Sequence, residues 1–168
     1  MVVTLTGHAV AWQGANRLRA HEIEIDRKRR KLTASGQVVS EFLDRAGGKT
    51  SRQTTPVYNM VTAEKLDYDE AGRVAHYTGR VTLRRPAMVV NSHELRAHLN
   101  ASPAQSSLEK AFADGAVEIL QSAEGRTRRG TAEHAEYHVA EERVLLHGGT
   151  PTLVDSLKGT TTGQRLTY

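Results

Sequence analysis

The segment AHEIEID at residues 20–26 returns as AEKLDYD at residues 63–69. A chain that repeats a phrase builds a fold in which one structural unit repeats. The phrase puts a small residue first, an aliphatic residue three positions on, and an apolar one two further. The small slot holds Ala20, Ala63, Ser92, Ala132 and Gly163. The second slot holds Ile23, Leu66, Leu95, Ala135 and Leu166, and the third Ile25, Tyr68, Ala97, Tyr137 and Tyr168. Between the phrases runs a Gly-x-Val element, at Gly36 and Val38, Gly79 and Val81, and Gly115 and Val117. GHAV at residues 7–10 is a looser copy and GTP at residues 149–151 a degenerate one, giving about five units.

Each unit is strand-like. Two-residue alternation dominates (HEIEID, VTLR, AVEIL, AEYHV), and Gly, Asp, Asn or Ser closes each run. The expected fold class is all-β, with many short antiparallel strands. Residues 106–115 fit both a helical and a strand pattern, and their strand flanks favour the strand. Residues 43–56, polar and carrying a Gly-Gly pair, are expected to form a long hairpin loop; residues 100–107 also break the rhythm. The three-residue step between the first two slots breaks strict alternation, so a bulge or bend is expected between them. The small slot marks a place where a large side chain does not fit. Glycine at the unit starts suits a corner with positive φ.

The 168 residues read as a single domain, 1–168, large enough to bury a core. Hydrophobic residues make up 38% and aromatics only 5%, which suits a thin, elongated, aliphatic core. With no cysteine, a disulfide framework, a thiolate metal site and a cysteine nucleophile are excluded. No apolar run approaches the ~20 residues of a membrane-spanning helix. The chain starts inside a strand-like pattern, which is expected of a piece of a longer exported precursor.

Catalytic signatures are missing. The carboxylates Glu22, Glu24, Asp26, Asp67 and Asp69 alternate with apolar residues, as on the wet face of strands. His134 and His138 lie ~13 Å apart along a strand, too far to share one metal ion, so no metal and no cofactor are expected. His21 and His93 are expected to face solvent beside the small slots. The net charge of +4 favours anionic partners. Nucleic acid is not expected, because stacking platforms need exposed aromatics and the few here occupy slots that read as inward.

The Gly-x-V element, the phrase and the hairpin between them are clearest in residues 7–36, 66–79 and 131–149. Together they resemble the OstA-like repeat of the periplasmic lipopolysaccharide-transport proteins, the LptA and LptC family, which also forms the N-terminal part of LptD. The resemblance implies an elongated β-jellyroll of two facing antiparallel sheets with an open apolar groove. It implies a non-catalytic periplasmic module that holds lipopolysaccharide or lipid A by its acyl chains and bridges inner to outer membrane. Members join one another, or themselves, end to end through edge strands. The groove wall is then expected from Val10, Trp12, Leu18, Ile23, Ile25, Val38 and Phe42. It continues through Leu66, Tyr68, Val81, Leu83, Met88, Val90, Leu95 and Phe112, and on through Val117, Ile119, Tyr137, Val144 and Leu146. A basic rim for lipid phosphates is expected from Arg27, Lys28, Arg29 and Arg30 in RKRRK, with Arg84, Arg126, Arg128 and Arg129. Two other readings use the same pattern: a scaffold that joins partners through edge strands, and a polysaccharide enzyme or lectin, which needs acids or aromatics clustered on one outer face.

Overall fold

A computed structural model describes the chain apart from residues 47–54 and 101–106. The described residues form twelve strands: β1 (Val2–Gln13), β2 (Asn16–Asp26), β3 (Lys31–Ala46), β4 (Thr55–Asp69), β5 (Val74–Arg85), β6 (Met88–Leu99), β7 (Leu108–Ala123), β8 (Arg126–His138), β9 (Arg143–His147), β10 (Thr152–Asp155), β11 (Gly159–Thr162) and β12 (Arg165–Thr167). The first eight pair antiparallel in chain order. Beyond β8 the chain divides: β9 then β12 extend one end of it, and β10 then β11 extend the other.

Every long strand is broken at a corner, where the repeat predicts it, and β6 carries one further shift against β7 between His98 and Leu99. Register shifts fall between Thr6 and Ala9, Arg19 and Glu22, Ser35 and Val38, Thr62 and Lys65, Thr78 and Val81, Asn91 and Glu94, and Asp114 and Val117. In the β3–β4 pair, Gly36 and Gln37 stand opposite the single residue Glu64, the two-against-one count of a β-bulge. Both bulge residues are left-handed. Gly36 and Gln37 have φ of 76° and 50°, Gly79 and Arg80 83° and 45°, and Gly115 and Ala116 82° and 45°. Two consecutive positive φ values bend the strand, and the aligned bulges fold one continuous sheet into two facing leaves.

The register shows what each slot of the repeat does. Leaf I contains a row running Leu5, Ile23, Ala34, Leu66, Tyr77, Leu95, Ala113, Ala135, Leu146 and Leu166, each paired with the next. This is the aliphatic slot and its cross-strand partners. The third slot makes the next row, where Tyr68 pairs with Leu32 and Ala75, and Tyr137 with Ala111 and Val144. The small slot is the first row of leaf II: Ala20 faces Ala9, Ala63 faces Val38, Ser92 faces Val81 and Ala132 faces Val117. The inward residues of both leaves join in one buried cluster. Each fully buried Val, Leu or Ile contributes ~1.5–3 kcal/mol, so the many rows offset the scarcity of aromatics.

Three sequence expectations are corrected here. Residues 43–56 are not all loop: β3 runs through Ala46 and β4 begins at Thr55, while residues 47–54 lie outside the described residues. Val10 and Trp12 were expected to face inward, but Ala9 is buried and Ala11 packs on the core, so Val10 and Trp12 take the opposite parity. Trp12 is 69% exposed. Phe112 is likewise flanked by buried Ala111 and Ala113, and on the outer face its ring meets His98 edge-on at 5.3 Å. The ambiguous residues 106–115 do supply a strand, β7.

Candidate functional site

Between the leaves, in the half built by β1–β6, the apolar interior opens into a cavity of about 490 Å³. Its walls are Ala11, Leu18 and Phe42 from leaf II and Ile25, Leu32, Leu66, Tyr68, Ala75, Tyr77 and Ala97 from leaf I. Trp12, Gln13, Asn16 and Arg17 border it at one hairpin turn and Arg27 at another, and Ser40 and Glu41 add polar atoms from β3. Asn16 is fixed there, its Oδ1 accepting the Leu43 N–H at 3.3 Å. A hydrogen bond between the Tyr77 and Ser40 side chains joins the leaves across the cavity wall.

The half toward the C-terminal strands is filled. The Arg85 guanidinium lies 5.4 Å from the centre of the Tyr137 ring, spanning from leaf II to leaf I. Gly130, buried in leaf II, leaves room for two side chains of leaf I: a Cβ there would come within 2.8 Å of Leu146 and 3.0 Å of the Tyr168 hydroxyl. Here the glycine is needed for space rather than for a positive φ. Arg128 covers the other face of this closure, 5.8 Å from the Tyr168 ring centre.

Most residues expected in the groove wall are brought together. Ile23, Val38, Phe42, Leu66, Val81, Leu83, Met88, Val90, Leu95, Val117, Ile119, Val144 and Leu146 are buried in the common cluster, and Leu18, Ile25, Tyr68 and Tyr137 pack against it. Of these, Leu18, Ile25, Phe42, Leu66 and Tyr68 reach the open cavity. The expected wall left out Leu32, Tyr77 and Leu99 as well as Ala11, Ala75 and Ala97; the alanines carry the same parity but no large side chain to signal it.

The expected basic rim is largely occupied. Arg126 and Arg128 both bind Asp155, whose carboxylate also accepts the N–H groups of Leu157 and Lys158. These donors hold the Asp155 carboxyl well below the usual carboxylate range, the Arg126 hydrogen bonds contributing most. The cluster ties the β10–β11 turn to β8 and is a structural clamp. Arg129 pairs with Glu118, Arg30 with Glu70 at 3.3 Å and Arg29 with Asp26 at 3.7 Å. Arg84 and Lys28 are exposed, and Arg27 alone of the expected rim borders the cavity.

The outer face of leaf I is polar and cross-linked. His134 Nδ1 lies 2.6 Å from Asp114 Oδ1, and His138 Nε2 lies 3.4 Å from Glu136. The two histidines engage separate carboxylates. Among the described residues, no three metal-ligating side chains could hold one ion. His21 and His93 are exposed, as expected, and pack over the corner glycines Gly36 and Gly115.

Burial pushes the Tyr77 hydroxyl up to about 12, against the lowering effect of its Ser40 hydrogen bond, and burial likewise takes Tyr168 to about 12. The folded pKa lies above the ordinary tyrosine value of ~10. The unfolded chain therefore loses these protons first. Stability is fully present below pH ~10 and falls as pH rises toward ~12. Phenolate absorbance should show Tyr77 and Tyr168 ionising late, together with unfolding, and Tyr68, which partial burial also raises, behind an ordinary tyrosine. All five tyrosines ionising together in the folded protein would contradict the packing described.

Comparison with known proteins places this architecture. The family model described as "LptA/(LptD N-terminal domain) LPS transport protein" matches residues 60–168, roughly two thirds of the chain. No curated protein sequence matches. Among solved structures, the chain is similar to the crystal structure of LptH from Pseudomonas aeruginosa, titled the LptA homologous periplasmic component of the conserved lipopolysaccharide transport device. The TM-score is 0.57 at 18% identity, over 66% of this chain and 74% of that one. At that identity the likeness speaks for the fold, a jellyroll of the same kind.

Proposed function

The chain belongs to the LptA/LptD N-terminal-domain family of lipopolysaccharide-transport proteins, and from that premise we propose that it is a periplasmic module that holds the acyl chains of lipopolysaccharide between its two leaves. The observation that carries this reading is the apolar interior, continuous across ten strands and open as a 490 Å³ cavity at one end. Acyl chains need no polar recognition there. Each methylene moved from water to such a wall gains about 0.8 kcal/mol. The module is non-catalytic, consistent with a wall of aliphatic side chains and a few alanines. Its partners are lipopolysaccharide or lipid A, and other jellyrolls of the same kind, or a second copy of itself, joined through the strand edges of β1 at one end and β11 and β12 at the other. Unpaired edges of this kind are templates for strand addition. Such a chain of modules bridges the inner and outer membranes.

The test is direct. Purified protein incubated with lipopolysaccharide should retain it through size exclusion, at a stoichiometry that does not grow with protein concentration. Absence of bound lipid, with mass rising as concentration rises, would favour a scaffold that uses the same edges without carrying lipid.

A further inference from the structure

The two leaves present different outer faces. Leaf I shows carboxylates: Glu22, Glu24, Asp67, Glu94, Asp114 and Glu136 stand on its outer side. Leaf II shows apolar groups. Among the described residues, Met1, Val2 and Leu5 are exposed along the edge strand β1, and the other exposed large apolar side chains are Trp12, Tyr58, Leu120, Val154 and Leu157. Trp12, Tyr58, Leu120 and Val154 point outward from leaf II, because their strand neighbours Ala11, Asn59, Ile119 and Asp155 face in. Leu157 sits in the adjoining β10–β11 turn.

Arginines share that face. One cross-strand row runs Met60, Arg84, Val89, Leu120, Arg129 and Val154, each paired with the next. Toward β1 it continues to Glu41, Arg17 and Trp12. The acids of the face are already engaged, Glu41 by Arg19 at 3.4 Å and Glu118 by Arg129. Arg17 and Arg84 have no carboxylate partner among the described residues, and Arg17 lies 5.8 Å from the centre of the Trp12 ring.

Aliphatic, aromatic and cationic side chains interleaved strand by strand, about 4.8 Å apart, suit a surface that offers anions and apolar depth at every register. A lipid bilayer does so. Trp and Tyr rings sit at its headgroup level, and an arginine keeps its charge on the phosphates while its stem lies along apolar surface. A second copy of this face would set arginine against arginine, and a nucleic acid would offer phosphates but no cover for Leu120 and Val154. We propose that the outer face of leaf II docks on an anionic lipid bilayer, Arg17 and Arg84 meeting the phosphates and Trp12, Tyr58, Leu120 and Val154 entering the headgroup layer. The inference stands on this outer face and does not depend on what the interior holds. Trp12 and Arg17 also border the cavity, so docking sets its mouth against the membrane.

Flotation with phosphatidylcholine vesicles, with and without an equal part of phosphatidylglycerol, measures the docking. The anionic vesicles bind roughly thirtyfold more strongly, from Arg17 and Arg84 acting together. Arg17→Gln with Arg84→Gln removes that preference. Lys31→Gln with Lys110→Gln removes the same charge from the outer face of leaf I and leaves the preference unchanged. Depth is read from Trp12→Phe with Leu120→Trp, a reporter outside the cavity, whose emission brominated phosphatidylglycerol vesicles quench. Trp12→Phe with Phe112→Trp puts the reporter on leaf I, where it stays bright. Failure to float with anionic vesicles, or equal losses from the two glutamine pairs, overturns the inference. So does equal quenching at positions 112 and 120. An emission shift at position 120 with rising protein concentration and no vesicles assigns the face to a second copy, and overturns it too.

Discussion

Gly79→Ala and Gly115→Ala each destabilise the protein by about 3 kcal/mol, the largest loss expected from a single methyl group. The left-handed backbone at these positions, φ 83° and 82°, costs an L-residue ~1–2 kcal/mol, and overpacking adds ~1–3. The overlap is specific. A Cβ at Gly79 would sit 2.7 Å from the Glu64 Cβ, and one at Gly115 2.9 Å from the His93 Cβ. Those partners follow the small slots Ala63 and Ser92, so the glycine and the small slot are two sides of one corner. Gly14→Ala is the control. Its φ is 61° with nothing within 4 Å of the added methyl, and ~1 kcal/mol is expected from the backbone alone. Chemical denaturation separates these outcomes. Equal losses at Gly14 and Gly79 would mean that the corners are loosely packed and the leaves are not held by them.

Ile25→Asp abolishes lipid binding, with at least a tenfold loss of affinity for lipopolysaccharide, while Glu24→Lys leaves it within about twofold. The two positions are adjacent in β2 and differ in parity. Ile25 lines the cavity and Glu24 is exposed on the outer face. A carboxylate in the wall must be desolvated by any chain packed on it, whereas a charge change on the wet side leaves the wall intact. Ile25 is only partly buried, so the aspartate retains some water in the free protein and the fold survives. Circular dichroism verifies that survival before affinities are compared. Equal losses from both substitutions would place the ligand on the surface rather than between the leaves.

The repeat was legible because each slot does one physical job. Small, aliphatic and apolar slots became a leaf II row and two leaf I rows, and the odd three-residue step became the crossing of a bulged corner. The parity errors have a common origin. In the three clear copies, the residue two after the corner glycine faces inward: Val38, Val81 and Val117. In the first unit that residue is Ala9, and valine follows one position later. Aligning on the valine shifted Val10 and Trp12 to the wrong face. Phe112 was misread for the same kind of reason: a large ring beside two alanines drew the inward assignment, yet the alanines face in, because the register is set by the sheet and not by side-chain size. The rim was misjudged because sequence gives charge but not pairing. Nothing in the order of residues shows that Asp155 recruits Arg126 and Arg128, or that Gly130 makes room for Tyr168 and closes that end of the interior. Those are contacts between segments far apart in the chain, and the uneven opening of the groove is their product.

The central claim, that lipopolysaccharide acyl chains lie between the leaves, is tested most directly by a photo-crosslinking amino acid placed in turn at Tyr68 and at Asp67. Tyr68 lines the cavity, and its ring is replaced by another aromatic with little change of shape. Asp67 points the other way, within 3.1 Å of Lys65 and 3.3 Å of Thr33. Irradiation in the presence of lipopolysaccharide should yield the adduct at position 68 and not at position 67. Adducts at both positions, or at 67 alone, would contradict an interior path for the lipid.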